Sequence, residues 1–276
     1  MKKQGKVCLM VGLTVLLILS AVAQAEVYVE GFLGGTTASG LGSSSFHQTD
    51  LPQQDGTLPF PDSSLKVNNN AAVAPSIIGG GRVGYWFVPN GALGLNYPPW
   101  MKYFGVYTDV SYQNLNVNEQ SVSVADYNDF GVFQGNFPGK FYSRGYVVTW
   151  AFMFAARYGF LPDDKVPFGR LQPWVAVGPA ILFTGMKPKA TIYAGPIIGA
   201  VANPGWQSAV VPALVVDAGI RYMIFKNLSI DVSFRYRYAQ PNFNFSFTDI
   251  NGFPSHLNFS PTYNLFSGMA GIAYHF

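Results

Sequence analysis

From Leu228 to Tyr238 the sequence changes character at every residue. Leu228, Ile230, Val232, Phe234, Tyr236 and Tyr238 fall on one side, and Ser229, Asp231, Ser233, Arg235 and Arg237 on the other. A period of two belongs to an extended strand with one apolar and one polar face. The preceding segment repeats it, with Leu214, Val216, Ala218, Ile220, Tyr222 and Ile224 set against Asp217, Gly219 and Arg221. The polar faces carry charges that need partners or water. The apolar faces are therefore expected to meet lipid and the charged faces to line an interior.

Composition narrows the choice further. Only 11% of the 276 residues are charged and 49% are hydrophobic, whereas a soluble domain carries about 25% charged residues. Yet beyond the N-terminal segment no apolar run approaches the roughly 20 residues a spanning helix needs. The densest stretch, Val147 to Ala156, is short and interrupted by Thr149. A membrane barrel reconciles these facts, because only alternate residues face lipid. Eight extended segments are expected, near 26–36, 75–87, 103–114, 143–160, 173–184, 210–225, 228–247 and 261–276. Long connections at 37–74, 115–142, 185–209 and 248–260 alternate with shorter ones, ending in the tight Lys226-Asn227 turn. The predicted fold class is all-β: a transmembrane antiparallel up-and-down β-barrel of eight strands. Its long loops are extracellular and both termini lie in the periplasm.

The first 25 residues read as a cleaved signal peptide, leaving residues 26–276 as the barrel domain. Lys2, Lys3 and Lys6 precede an apolar core, Val7 to Ala23, and Ala23-Gln24-Ala25 forms an A-x-A cleavage site. Cys8, the one cysteine, stands ahead of that core rather than at its end, so it is not a lipoprotein cysteine. Without these three lysines the 17 Lys+Arg fall to 14, matching the 14 Asp+Glu. The basic balance belongs to the export segment, and no nucleic acid is implied as a partner. The expected location is the outer membrane of a Gram-negative cell.

Parity assigns Glu30, Arg82, Asp109, Arg157, Asp217, Arg221, Asp231, Arg235 and Arg237 to the interior, four acids and five arginines. Such a balance predicts a salt-bridged plug rather than a strongly selective pore. It also predicts a register. Opposed residues on antiparallel strands point the same way, and a pairing that sets Asp217 opposite Arg235 and Arg221 opposite Asp231 wastes no charge. Without a bulge that pairing needs a three-residue loop, Phe225-Lys226-Asn227, with Asn227 left-handed.

The chain ends Gly271-Ile272-Ala273-Tyr274-His275-Phe276, with Phe276, Tyr274, Ile272, Ala270 and Phe266 on one face. A terminal aromatic preceded by apolar residues at alternate positions resembles the assembly signal of outer-membrane barrels. Together with Leu171-Gln172-Pro173-Trp174-Val175-Ala176-Val177-Gly178, Ala218-Gly219-Ile220-Arg221-Tyr222, Asn227-Leu228-Ser229 and Tyr236-Arg237-Tyr238, it resembles the small barrels related to the outer-membrane protein A transmembrane domain. The likeness spans the mature chain. It implies a barrel class, with outer-membrane lipid, lipopolysaccharide and the barrel-assembly machinery as partners, and not a function. The peptidoglycan-binding domain of the longer members is not seen, so wall anchoring is not implied.

Other motifs carry less. Gly79-Gly80-Gly81-Arg82-Val83-Gly84 matches G-x-G-x-x-G in letters, but it lies within a strand, where glycines make room in a narrow barrel. His47 lies near Ser43, Ser44 and Ser45, and His256 beside Ser255. Lipid A-modifying barrels use Ser with His, but neither loop has their spacing, so an enzyme is not expected. No metal or other cofactor is expected; Asp126-Tyr127-Asn128-Asp129 reads as a solvated acidic loop. The segment Ile192–Ala202 is too apolar for a free loop tip. Three readings stay open. The fifth and sixth strands run further out; the loop folds into a vestibule for a small hydrophobic ligand, with Ile192, Tyr193, Ile197, Ile198 and Trp206 lining it; or it contacts lipopolysaccharide or a surface partner. For the whole chain the expectation is an envelope-structure or surface-interaction protein. The alternatives are a narrow channel or conduit for small hydrophobic compounds, as in outer-membrane protein W-type barrels, and, more remotely, a lipid A-modifying enzyme.

Overall fold

The computed structural model describes residues 26–39, 41, 44–47, 64–67, 72–88, 97–127, 133–194, 197–248 and 254–276. The expected signal peptide lies outside them. Fourteen strands are present among these residues: β1 (Glu26–Ala38), β2 (Ser44–His47), β3 (Ser64–Val67), β4 (Ser76–Trp86), β5 (Phe104–Asn114), β6 (Val117–Tyr127), β7 (Phe133–Arg157), β8 (Leu171–Ala194), β9 (Ile197–Ala202), β10 (Gln207–Phe225), β11 (Leu228–Ala239), β12 (Phe243–Thr248), β13 (Pro254–Phe259) and β14 (Tyr263–His275).

Eight of them, β1, β4, β5, β7, β8, β10, β11 and β14, pair in that order, each antiparallel to the next, and β14 closes back onto β1. The barrel is up-and-down and has eight strands. A walk across opposed residues from Val27 passes Tyr85, Val106, Phe154, Val177, Val216, Tyr236 and Phe266 and returns to β1 at Thr37. The register thus advances from residue 27 to residue 37, ten residues per circuit. With a rise of about 3.3 Å and a strand spacing of about 4.8 Å, that shear tilts the strands by about 40° and gives a radius of about 8 Å. Such an interior is filled by its own side chains.

Faces follow the parity of the sequence. Outward residues include Ile77 at 71% exposure and Leu33 and Val232 at 64%; inward residues on the same strands are buried. An apolar outer wall around a charged interior is the arrangement of a membrane-spanning barrel. The glycine run of β4 serves the interior, because a Cβ on Gly80 would lie 2.6 Å from the Phe32 ring and one on Gly84 2.3 Å from that of Tyr28. These glycines seat two inward aromatic rings, and no nucleotide loop is formed.

The β10–β11 hairpin has the charge-matched register, Asp217 opposite Arg235 and Arg221 opposite Asp231. The way it turns differs from expectation. Phe225 pairs with Leu228 across a two-residue Lys226-Asn227 turn, and an irregularity between Met223 and Phe225 restores the register. Asn227 does not take a positive φ; among the described non-glycine residues only Leu161 does. Asn227 instead donates its side-chain amide to the His275 carbonyl at 2.7 Å.

Two expected segments were too short and one too long. β7 and β8 extend to Phe133 and Ala194, well beyond the barrel, and the region 115–142 contains β6 paired with the outer half of β7. β3 and then β2 add to that sheet. The segment 228–247 is two strands, because β11 stops at Ala239, just before Gln240-Pro241-Asn242, and β12 pairs with β13 in a separate hairpin. Proline supplies no N–H to a ladder. Phe243 and Phe245 then turn inward, buried with Phe259, Phe141, Leu115 and Leu182 in an apolar cluster.

Candidate functional site

All nine charges assigned to the interior are buried. Seven of them form one connected group. Register lays its first row directly: Glu30 on β1 opposes Arg82 on β4, which opposes Asp109 on β5. On the far wall stand the two hairpin pairs of β10 and β11.

Arg235 ties the two walls together. Its Nε donates to Asp217 Oδ1 at 2.8 Å and its Nη2 to Asp217 Oδ2 at 2.7 Å. Its Nη1 donates to Asp109 Oδ1 at 2.9 Å, and Nη2 also reaches Asp109 Oδ2. One guanidinium thus uses its planar fork on two carboxylates from opposite sides of the lumen. Arg82 donates to both Glu30 oxygens at 3.2 Å and to Asp217 at 3.4 Å. Arg221 donates to Glu30 at 2.8 Å and lies 3.3 Å from Asp231. Aromatic rings complete the layer. Tyr107 donates its hydroxyl to Asp217 at 2.7 Å and Trp174 its indole N–H to Asp231 at 2.8 Å. The Arg82 guanidinium stacks 4.5 Å from the Tyr107 ring centre and that of Arg221 4.3 Å from Tyr28. Burial is tolerated because each of the seven finds opposite charge and at least one hydrogen bond, although Arg82 Nε, Arg221 Nε and Nη1 and Asp231 Oδ1 are left without a hydrogen-bond partner among the described residues.

Two of the nine stand apart. Arg157 lies toward the turn end, where it pairs bidentately with Glu26 and donates to Gln172 Oε1 at 3.2 Å. Arg237 reaches no carboxylate among the described residues; Thr149 Oγ1 at 3.1 Å, Ser267 Oγ at 3.0 Å and Gln113 Oε1 accept from it. The inventory read from sequence omitted Glu26, although Glu26, Tyr28 and Glu30 share one face of β1. It also passed over a contact of the penultimate residue: Ser229 Oγ lies 2.9 Å from His275 Nε2, and Glu26 lies 3.9 Å from His275 Nδ1. This Ser–His–carboxylate row is not an accessible nucleophile, because Ser229 is fully buried. His47 pairs by backbone with Ser64 in β2–β3, and His256 with Ser246 in β12–β13; their side chains lie outside those described.

The apolar third connection is strand extension. β8 runs out to Ala194, and β9 folds back on it from Ile197 to Ala202. The side chains of Ile192, Ile197 and Ile198 lie outside those described. Trp206, expected to line a vestibule, instead stands on the outer wall, 54% exposed, with its ring centre 6.1 Å from that of Tyr146. It lies one residue ahead of β10 and continues that strand's even-numbered, outward-pointing row. Phe276, Tyr274 and Ile272 also face outward on the opposite end. Among the described residues no His/Cys/Asp/Glu group has the arrangement of a metal site.

No protein-family model matches the chain, and no curated protein matches it. Among solved structures it is similar to three small outer-membrane barrels. The outer membrane protein OprG from Pseudomonas aeruginosa gives a TM-score of 0.39 at 12% identity, over 92% of this chain and 97% of that one. Neisserial surface protein A gives 0.37 at 12%, over 91% and 97%. The N-terminal barrel domain of Pseudomonas aeruginosa OprF gives 0.34 at 12%, over 92% and 98%. The strand count and closure described above rest on this chain's own pairing.

Proposed function

We propose that the protein is an integral outer-membrane barrel, closed to solutes and without enzymatic activity, whose work is done by the sheet and hairpins it raises above the membrane. The observation that carries this reading is the bracket of Arg235 between Asp109 and Asp217, side chains with no measurable exposure. It crosses the interior from β5 to β10 and β11. An apolar tier containing Leu182, Met186, Phe243 and Tyr263 fills the loop end of the lumen, so an ion entering from either side meets a dry obstruction. The long strands and hairpins outside are then the part that meets partners. Purified full-length protein in planar bilayers is expected to pass no steady ion current. Stable conductance steps with the network intact would overturn the closed-lumen reading.

One observation favours the conduit alternative. β10 pairs with β8 out to Gln207, but with β11 only as far as Ala213 opposite Ala239. Pro212 has no N–H to continue that ladder, and an outward groove lined by Pro179, Pro212, Leu214, Tyr238 and Gln240 sits at the seam. A disulfide across the seam, Pro212→Cys with Gln240→Cys, tests it. Uptake of small apolar compounds that falls on oxidation and recovers on reduction supports a lateral path; uptake indifferent to the bridge removes it.

A further inference from the structure

The barrel's cations are distributed unevenly. Of the 14 basic residues after the first 25, five lie in the lumen: Arg82, Arg157, Arg221, Arg235 and Arg237. Lys102, Lys165, Arg170 and Lys226 occupy the turn end. On the loop end, every basic residue whose side chain is described and lies outside the lumen belongs to one patch: Lys140 and Arg144 on β7, Lys187 and Lys189 on β8. Strand parity turns all four to the outer wall.

The register makes the patch costly as it stands. Arg144 directly opposes Lys187, and Tyr142 opposes Lys189, with the Lys189 ammonium 5.9 Å from the Tyr142 ring centre. Like charges directly opposed across a strand pair are destabilising. Lys140 is neutralised by Glu119 at 2.7 Å, whereas Arg144, Lys187 and Lys189 have no ion-pair partner among the described residues. An anion bound between them would relieve the repulsion.

Height selects the anion. On β7 the outward residues Phe154, Phe152, Trp150, Val148 and Tyr146 are apolar or aromatic, and the next is Arg144; on β8 Val177, Ile181 and Phe183 lead through Gly185 to Lys187. At the junction the Tyr146 ring covers Gly185 and clusters with Trp206 and Tyr112, centres 6.1 and 6.5 Å away. Aromatic side chains of this kind mark the membrane–water interface. The cations therefore stand at the phosphate level of the outer leaflet.

Resting on the outer-membrane reading above, we infer that Arg144, Lys187 and Lys189 form a binding site for the phosphate of an outer-leaflet glycolipid, its acyl chains lying along the Tyr146–Trp206 wall. A planar guanidinium beside two ammonium groups suits a phosphate monoester. A soluble polyanion would engage the charges but not the aromatic wall beneath them.

Native mass spectrometry of the full barrel in micelles, titrated with bisphosphorylated hexa-acyl lipid A, tests the site. The triple variant Arg144→Gln, Lys187→Gln, Lys189→Gln is expected to bind about tenfold or more weakly, no more than the loss of one charge-assisted hydrogen bond requires. A control at the other end, Lys102→Gln, Lys165→Gln, Lys226→Gln, is expected to bind as wild type does. Dephosphorylated lipid A is expected to bind the wild type as poorly as lipid A binds the triple variant. Equal binding by the triple variant and wild type overturns the site. So does equal competition by phosphatidylglycerol or inorganic phosphate, or binding of a sulfated polysaccharide where lipid A fails. If the triple variant does not form a heat-modifiable barrel, the comparison of phosphorylated and dephosphorylated lipid on wild type decides alone. Fractionation of the wild type away from the outer membrane would instead sink the membrane reading, independently of these titrations.

Discussion

Arg235→Ala is expected to destabilise the barrel by about 3–5 kcal/mol, the cost of leaving buried charge unpaired. The side chain itself is fully buried, and its removal strips Asp109 and Asp217 of their main partner. Arg82 does not replace it, standing 3.9 Å from Asp109 and 3.4 Å from Asp217 while already committed to Glu30. Two carboxylates then share a space that one cation held together. Urea unfolding in lipid vesicles, followed by loss of heat-modifiability, reads the effect. A second substitution, Asp109→Asn in the Arg235→Ala background, is expected to recover part of the loss, because one orphaned charge disappears. If Arg235→Ala unfolds at the wild-type urea concentration, the layer is wetted and the closed-lumen proposal fails with it.

Parity makes most of this layer legible in the sequence, and parity with charge matching selects the β10–β11 register. Two features were not written locally. Which inward residues meet across the lumen depends on the shear of the whole barrel, so nothing near Arg157 or Arg237 in sequence indicates that one finds Glu26 and the other only Gln113, Thr149 and Ser267. The irregularity at Ile224 is likewise a compromise between a tight turn and charge matching, each reasonable alone. The outer halves of β7 and β8 were missed for a different reason. Beyond the barrel's apolar band both faces of a strand meet water or a partly apolar cluster, so the greasy alternation fades at Arg144 and Lys187. Glu26 is findable from parity, since it is in phase with Tyr28 and Glu30 on β1.

Phe234→Arg is expected to cost about 2–4 kcal/mol, whereas Tyr238→Arg, nearer the interface on the same face, costs about 0–1 kcal/mol. Both positions point outward from β11, with Phe234 51% and Tyr238 37% exposed. In water neither change would matter greatly, since an exposed aromatic replaced by arginine leaves no cavity. In a bilayer the cost depends on depth. Phe234 lies three outward positions from each of Leu228 and residue 240, with the Phe266 ring stacked 6.3 Å away, so a guanidinium there has no short route to headgroups. From Tyr238 it reaches the interface by extending its own stem. The measurement is the ratio of folded to unfolded protein on urea titration in vesicles, both variants side by side. A larger loss at Phe234 than at Tyr238 is the signature of a lipid-facing strand. Equal losses would mean that the outward face of β11 meets protein or water, and the assignment of inside and outside would have to be reversed.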